Sequence, residues 1–366
     1  MIPHAPRQRP VVLRALLLCS MVLTGCTVVD ALRPTPPDLP LDAPIPPTLR
    51  FTLSDGMVLP ARAWLPPPGT QWRGVILALH GYTDSRDGWE IPAPQFATAG
   101  YAIYAPDQRG FGGAPDRGQW AGTIRMVNDA AALTAQLRAA HPNLPVIVMG
   151  ESMGGAITAL LAARPGQAAD AYVLVAPAVW GWQEMDPAVA ATLLAADAVA
   201  PNWAPDPGQL GREITASDNY AALLRMGRDP LTLRRPTVAS LRGLVDLMDA
   251  AEAAAPSVHG NVLILSGRRD QLVPPRATAH LWEKLPPTAR RAFYPNGYHM
   301  LLRDRDRALV IADILSWLNT PQAWLPSGAD VAAGAWTADH AWQARDPAIT
   351  PAGGFDTDFK EPVWPY

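Results

Sequence analysis

The hydrophobic positions of this chain fall into short continuous runs, and longer segments rich in Ala and Leu separate those runs. Short apolar runs bounded by turn residues are typical of parallel strands that are buried on both faces. Residues 74–79 and 101–105 are runs of this kind, and residues 146–149, 171–176, 261–266 and 290–294 are further predicted strands. Strands that alternate with helical segments predict a mostly parallel sheet with helices on both faces, which is an α/β fold.

Two departures from the alternating pattern refine this picture. Residues 48–54 and 58–65 alternate partly around Asp55-Gly56, which predicts an antiparallel hairpin ahead of the parallel strands. Residues 177–257 contain helical pieces, prolines and tryptophans but no strong strand pattern, so we interpret them as an inserted helical cap. The tail at residues 320–366 is rich in Trp, Gly, Pro and Ala, and it carries no functional prediction.

The strongest candidate for chemistry is the turn after the apolar run at 146–149, which reads Gly150-Glu151-Ser152-Met153-Gly154. A Gly-x-Ser-x-Gly turn between a strand and a helix holds its serine in a strained conformation, with the hydroxyl exposed at the edge of a sheet. The alternative is an ordinary Gly-rich turn with a capping serine. The strand before it and the helix after it favour Ser152 as a nucleophile.

A serine hydroxyl needs a base, and the base needs an orienting acid. His299 follows the last predicted strand and therefore belongs on the same sheet edge as Ser152. Asp270 follows the strand before it, and the order Ser, Asp, His suits this type of fold. Other residues are less well placed for either role, and these are His259, His280, His340, Asp246, Asp249, Asp304 and Asp306.

The oxyanion of an acyl-transfer intermediate needs backbone N–H donors. We expect one from Met153, which directly follows the nucleophile, and one from Tyr82, which follows His80-Gly81 at the end of the first parallel strand. The loop at 107–112 has too few ligands for a metal, and we interpret Asp107 and Arg109 as a structural pair. No His/Cys cluster or dinucleotide motif is present, so no metal and no cofactor are predicted.

Together these motifs resemble the α/β-hydrolase superfamily, and within it the monoacylglycerol lipase and lysophospholipase group. The motifs that carry the resemblance are Leu79-His80-Gly81-Tyr82, Asp107-Gln108-Arg109-Gly110-Phe111-Gly112, Gly150-Glu151-Ser152-Met153-Gly154-Gly155, Gly267-Arg268-Arg269-Asp270 and Tyr298-His299. The resemblance implies a hydrolase domain over residues 48–319, with Ser152, His299 and Asp270 as a triad. One departure is Glu151, because this group usually has a histidine at that position.

The N-terminus predicts export. Residues 1–25 combine a basic leader with a short apolar run, as a secretory signal peptide does. The end of this segment, Leu23-Thr24-Gly25-Cys26, resembles the lipobox of bacterial lipoproteins, which implies cleavage before Cys26 and its lipidation. The alternatives are a plain signal peptide and an uncleaved anchor. Residues 26–47 form a proline-rich spacer, so we expect a lipid-anchored protein of the cell envelope, with a weak hint of the outer membrane.

The leading hypothesis is a serine ester hydrolase that forms an acyl-enzyme on lipids such as monoacylglycerols or lysophospholipids. An amidase or aminopeptidase with the same triad is the alternative, and it would need an acid such as Glu184, Glu213 or Asp218 to bind the substrate's amine. A hypothesis of another class is a non-catalytic envelope lipoprotein. The net charge of −3 gives no case for nucleic-acid binding, and the oligomeric state stays open.

Overall fold

The computed structural model describes residues 44–205 and 214–339 of the 366-residue chain. Its strands are β1 Leu49–Thr52, β2 Val58–Trp64, β3 Gly74–Leu79, β4 Tyr101–Pro106, β5 Val146–Glu151, β6 Ala171–Val175, β7 Val262–Gly267 and β8 Arg290–Tyr294. They form an eight-stranded sheet in the order β1-β2-β4-β3-β5-β6-β7-β8. The predicted hairpin and all six predicted parallel strands lie in this sheet, within one or two residues of the expected ends.

Strand β2 is antiparallel to both of its neighbours, and every later pair in the sheet is parallel. All residues of β3, β5, β6 and β7 are buried. On β3, Val75, Leu77 and Leu79 enter one apolar cluster while Ile76 and Ala78 enter a second one. Because successive side chains of a strand point to opposite faces, the sheet has an apolar layer on each side. The prediction of an α/β fold with a mostly parallel sheet is thus confirmed.

Nine α-helices lie in the described residues, and three of them fall in the predicted cap at 177–257. They are α1 Ala93–Thr98, α2 Thr123–Ala140, α3 Met153–Ala162, α4 Pro187–Val199, α5 Tyr220–Arg228, α6 Val238–Ala254, α7 Pro275–Lys284, α8 Arg307–Asn319 and α9 Ala329–Ala338. Helices α4, α5 and α6 belong to the cap, and α6 packs against α3, the helix that follows the Ser152 turn.

Part of the tail packs against the sheet. The Trp336 ring on α9 stacks on Phe293 of β8, with centroids 4.8 Å apart, and meets Trp282 edge-on at 4.9 Å. The predicted signal peptide, Cys26, Glu213 and the last 27 residues lie outside the described residues. Among the helices that the structure describes, none is long and apolar enough to cross a membrane.

Candidate active site

Ser152 lies in the sharp turn between β5 and α3, with backbone angles φ 54° and ψ −115°. A positive φ is uncommon for a residue with a side chain, and it costs free energy that the surroundings must supply. The backbone N–H of Ser152 donates to the Val175 carbonyl at 2.9 Å, and its carbonyl accepts from Ala156 and Ala178 at 3.0 and 2.9 Å. These three hydrogen bonds hold the strained serine in place.

The glycines of the motif are required by close backbone packing. A Cβ on Gly150 would lie 2.0 Å from the Gly154 carbonyl oxygen, and a Cβ on Gly154 would lie 2.2 Å from the Leu79 carbonyl oxygen. Both distances are far inside van der Waals contact, and both obstacles are backbone atoms that cannot rotate away. The turn therefore lies directly against the end of β3, where the other predicted loop begins.

His299 and Asp270 follow β8 and β7, and their side chains meet. The Nδ1 of His299 lies 2.8 Å from the Asp270 Oδ2, and both side chains are buried. The other carboxylate oxygen, Oδ1, accepts the backbone N–H groups of Leu272 and Val273 at 2.8 and 3.0 Å. Because Asp270 is an acceptor, it favours a proton on Nδ1 and leaves the His299 Nε2 available as a base.

The electrostatics of His299 favour its protonated form. Burial lowers the pKa of His299, but the charge and hydrogen bond of Asp270, with a further contribution from Glu151, outweigh burial and the opposing charge of Arg303. The pKa of His299 therefore lies above the ordinary value of 6.5. An imidazolium stabilised in this way is what a general base needs after it has accepted a proton.

The predicted oxyanion loop also adjoins the serine. A Cβ on Gly81 would lie 3.3 Å from the Ser152 Cβ, so this loop approaches the nucleophile closely. The hydroxyl of the next residue, Tyr82, donates to Ser240 at 3.0 Å, and its ring packs edge-on against Phe111. Met153, the first residue of α3, is fully buried. Both predicted donor residues thus flank Ser152.

His80 stabilises this loop through hydrogen bonds. Its Nε2 accepts the backbone N–H of Gln108 at 3.0 Å, so the ring proton lies on Nδ1, which is 2.8 Å from the Gly81 carbonyl oxygen. The Gln108 side chain donates back to the His80 carbonyl at 2.7 Å. Burial lowers the pKa of His80, which keeps the ring neutral and suited to this structural role.

An open cavity joins these residues. Ser152, His299, Gly81 and Tyr82 lie in its wall, and side chains from the cap and the neighbouring loops close over them. Most of the remaining lining is apolar, and it comprises Ala178, Trp180, Ala216, Met226, Leu244, Met248, Leu272, Val273 and Met300. A mostly apolar lining with a few polar groups is typical of sites that hold a small organic molecule.

A buried charge cluster, which the sequence reasoning missed, lies in the same wall. The Arg303 guanidinium binds Glu151 at 2.6 Å and Asp84 at 2.7 Å, and all three side chains are about 6% exposed. Glu151 was the signal that could have revealed it, because a carboxylate at the end of a fully buried strand requires a counter-charge. Nothing in the spacing of the chain pointed to Arg303 as that partner.

One group of possible metal ligands is present among the described residues, and it lies apart from the cavity lining. Ligand atoms of Glu184, Glu252 and His280 all lie within 4.8 Å of one another. Glu184 is bound to the His280 Nδ1 at 2.5 Å, and Glu252 is bound to Lys284 at 2.7 Å. Each of the three side chains thus has a partner for a charge or hydrogen bond within the protein.

Solved structures share this fold. A monoacylglycerol lipase from Paleococcus ferrophilus superposes with a TM-score of 0.60 at 21% identity, covering 71% of this chain and 98% of that one. A soluble variant of monoglyceride lipase from Saccharomyces cerevisiae, in complex with a substrate analogue, gives a TM-score of 0.65 at 17% identity, covering 78% and 98%. The fold of the described residues is therefore the α/β-hydrolase fold.

A family model described as serine aminopeptidase, S33 (Hydrolase_4) matches residues 70–306, which is more than half of the chain. The chain therefore belongs to this family. Among its relatives, a monoacylglycerol lipase from Mycolicibacterium smegmatis is 28% identical over 259 residues, covering 69% of this chain and 90% of that protein. A human monoglyceride lipase is 29% identical over 262 residues, covering 69% and 82%. The prediction of a serine ester hydrolase is confirmed by these relatives.

Proposed function

We propose that the protein hydrolyses fatty-acyl monoesters, of the monoacylglycerol or lysophospholipid type, through an acyl-enzyme on Ser152. The observation that carries this proposal is the buried His299–Asp270 pair at 2.8 Å, on the same sheet edge and in the same cavity wall as the strained serine. The apolar lining of the cavity supports an acyl chain as the group that it holds. The monoacylglycerol lipases among the relatives support the same substrate class.

In the acylation step, the Ser152 Oγ attacks the ester carbonyl carbon while its proton passes to the His299 Nε2. The carbonyl oxygen becomes an oxyanion, and the backbone N–H groups of Met153 and Tyr82 are the proposed donors to it. Asp270 holds the imidazole through Nδ1 and stabilises the positive charge that forms there. When the ester C–O bond breaks, His299 gives its proton to the leaving alcohol.

In the deacylation step, a water molecule replaces the alcohol. His299 takes one proton of the water as the water oxygen attacks the acyl carbon, and it passes that proton to the Ser152 Oγ when the acyl–enzyme bond breaks. The products of the full cycle are a fatty acid, the alcohol and the free enzyme. The original serine proton has left with the alcohol, and a proton from water has replaced it.

The substitution Ser152→Ala tests the proposal. We expect at least about a 10⁴-fold loss of kcat on p-nitrophenyl butanoate and on monolauroylglycerol, because the nucleophile is removed, with an unchanged circular dichroism spectrum. A fluorophosphonate probe should label the native chain and not the variant. Equal ester turnover by both proteins, or labelling of both, would contradict the assignment of Ser152.

The amidase or aminopeptidase alternative is not favoured, even though the family description names an aminopeptidase. Of its candidate amine-binding acids, Glu184 pairs with His280, and Asp218 accepts the Arg305 backbone N–H at 2.8 Å. Neither side chain lines the cavity. Hydrolysis of aminoacyl 4-nitroanilides beside acyl esters of matched length would separate the two activities, and we expect the esters to be far the better substrates.

We also propose that the chain is anchored in the cell envelope by lipid on Cys26. This proposal is supported by residues 1–26 alone: the basic leader, the apolar run and the lipobox-like end. Expression of the full chain in a bacterium, with Cys26→Ser as the comparison, tests it. We expect the native chain in the membrane fraction with incorporated radiolabelled palmitate, and the variant without that label. Equal labelling would overturn the proposal.

A further inference from the structure

Arg303 connects three loops at the carboxyl edge of the sheet. It lies in the loop after β8, and its side chain is 6% exposed. Its Nη1 binds Asp84 Oδ2 in the loop after β3, and its Nη2 binds Glu151 Oε2 at the end of β5. These are the three loops that carry the proposed base, the proposed oxyanion donor and the nucleophile. A single guanidinium thus fixes their relative positions.

Stability alone does not account for such a cluster. Burying charged groups removes them from water, and the free energy lost is often only offset by their mutual attraction, so apolar side chains of similar volume commonly do as well. Arg303 is also unusually well suited to joining two groups, because a planar guanidinium presents donors in two fixed directions. The arrangement therefore indicates a role that depends on geometry and charge.

The cluster contains two carboxylates and one guanidinium, so it carries a net negative charge. This charge lies near His299, the proposed base. The second oxygen of Glu151, Oε1, is buried and has no hydrogen-bond partner in residues 44–205 and 214–339. The charged groups that act on His299, besides its burial, are Asp270 and Glu151, which raise its pKa, and Arg303, which lowers it. Asp304, whose pKa burial raises to about 7, lies in the same loop.

We propose that Arg303 is a positioning residue, which holds the Glu151 carboxylate in the cavity wall shared with His299 and aligns the loops of Ser152 and Tyr82. The inference rests on the proposed function, since it concerns how the proposed base and nucleophile are arranged. Glu151 sets the charge on the His299 side of the cavity, and Arg303 determines how much of that charge His299 experiences.

The first test is the acidic limb of the pH profile of kcat/KM in two single variants. Glu151→Gln removes a negative charge and should move the limb to lower pH by about 0.5 unit or more, because the imidazolium is less stabilised. Arg303→Gln leaves Glu151 unpaired and should move the limb to higher pH by a similar amount. A merely structural role would lower kcat without shifts of opposite sign.

The second test separates charge from geometry. Arg303→Lys keeps the positive charge, so the acidic limb should stay within about 0.2 pH unit of the native one. A single ammonium cannot bind two carboxylates in fixed directions, so kcat should still fall by about tenfold with little change in KM. The matched control is Arg305→Gln, an exposed arginine two residues away, which should leave both parameters unchanged.

Shifts in the same direction for Glu151→Gln and Arg303→Gln, or no shift in folded variants, would overturn the inference. If either single variant fails to fold, the triple variant Asp84→Asn/Glu151→Gln/Arg303→Met removes all three buried charges of the cluster together and should fold. We expect this triple variant to have about a tenfold lower kcat and a native acidic limb. Native kcat in the triple variant would also overturn the proposal.

Failure of the proposed function would be visible separately. In that case the native chain would hydrolyse none of the esters and would not react with the fluorophosphonate. The titration of His299, followed by NMR of ¹³C-labelled histidine and assigned with His299→Gln, needs no substrate. The pKa of His299 measured in this way should fall in Glu151→Gln and rise in Arg303→Gln. If it did neither, the positioning role of Arg303 and Glu151 would be contradicted, whereas the proposed ester hydrolysis would be unaffected.

Discussion

The two walls of the cavity are built differently. The sheet-edge wall consists of the loops after β3, β5, β7 and β8, in which backbone hydrogen bonds and close backbone contacts fix each residue. The cap wall consists of side chains from residues 177–257, such as Met226, Leu244 and Met248, which approach from helices. The first wall holds the groups proposed to react, and the second holds only apolar surface. This difference predicts that chemistry and substrate selection reside in separate parts of the fold.

The walls also differ in how much change they should tolerate. At the sheet edge, an added methyl group meets the backbone at 2.2 Å or less in two places. In the cap wall, Met226, Leu244 and Met248 line the cavity, so a changed side chain there borders open space rather than backbone. If this contrast is correct, substitutions at the sheet edge should affect all substrates alike, whereas substitutions in the cap should affect some substrates more than others.

The largest effect is expected for Gly154→Ala at the sheet edge. The new Cβ would lie 2.2 Å from the Leu79 carbonyl oxygen, so the turn and β3 must separate. We expect the free energy of unfolding to fall by at least about 2–3 kcal/mol, with loss of measurable ester turnover. Urea denaturation and a p-nitrophenyl ester assay measure the two effects.

Gly334→Ala is the matched control, because Gly334 lies in α9 and an added Cβ there has nothing within 4 Å. This variant should be more stable by about 0.5–1 kcal/mol, since alanine favours the helix. If Gly154→Ala were as stable and active as Gly334→Ala, the rigid packing of the sheet-edge wall would be disproved.

The next effect is expected for Asp270→Asn. The amide removes the negative charge that stabilises the protonated His299 and disturbs the tautomer of its ring, so kcat should fall by about 10³-fold. Because the change acts on the reacting groups, butanoyl and dodecanoyl esters should lose the same factor. Asp306→Asn, at an exposed position in the same region, should keep native kcat. A loss of kcat for only one of the two acyl-chain lengths would contradict the proposed division of roles between the two walls.

A smaller and selective effect is expected for Met248→Trp in the cap wall. The larger side chain fills part of the cavity, so kcat/KM for a dodecanoyl ester should fall by about tenfold or more, while a butanoyl ester changes less than about twofold. Leu194→Trp, on the exposed side of α4, should leave both values unchanged. Equal losses for both esters would indicate that this wall does not sort substrates by length.

The smallest effect on kcat/KM is expected from a change of pH. His299 must be neutral to accept the serine proton, and its pKa is raised above 6.5, so kcat/KM should decline as pH falls through that raised pKa. Stability should respond in the opposite sense: the contribution of His299 is present below the unfolded pKa and is lost as pH rises through the folded pKa. A kcat/KM profile from about pH 5 to 9 with its acidic midpoint below 6.5 would contradict this expectation.

The sheet-edge wall was also the part that the sequence predicted best. Strands buried on both faces appear as uninterrupted apolar runs, and β3 and β8 have the predicted ends. The carboxyl ends of parallel strands share one edge, so Ser152, Asp270 and His299 could be placed together from topology alone. No shared sheet edge fixes the positions of the cap helices. Their Ala-rich stretches are apolar on several sides, so the sequence does not show which side is buried, and the residues at which the helices end depend on tertiary packing.

Ion pairs between segments that lie far apart in the chain were the features that the sequence predicted least well. Arg303 and Glu151 are 152 residues apart, and no local pattern links them. The loop at 107–112 shows the same limit, because Asp107 and Arg109 were interpreted as a pair, and this was wrong. Asp107 pairs with Arg86, and Arg109 pairs with Asp129 at 2.7 Å. Charge pairing is set by distances in the folded chain, which residue types alone do not reveal.

The position of helix α9 bears on whether copies of this chain aggregate at high concentration. Strand β8 is the last strand of the described sheet, and a terminal strand with unpaired backbone groups is a template for aggregation. Trp336 stacks on its Phe293, and Asp330 forms an ion pair with its Arg290, so the tail occupies space beside that strand. We therefore expect a chain that ends at residue 319 to associate through this strand more readily than a chain that retains the tail.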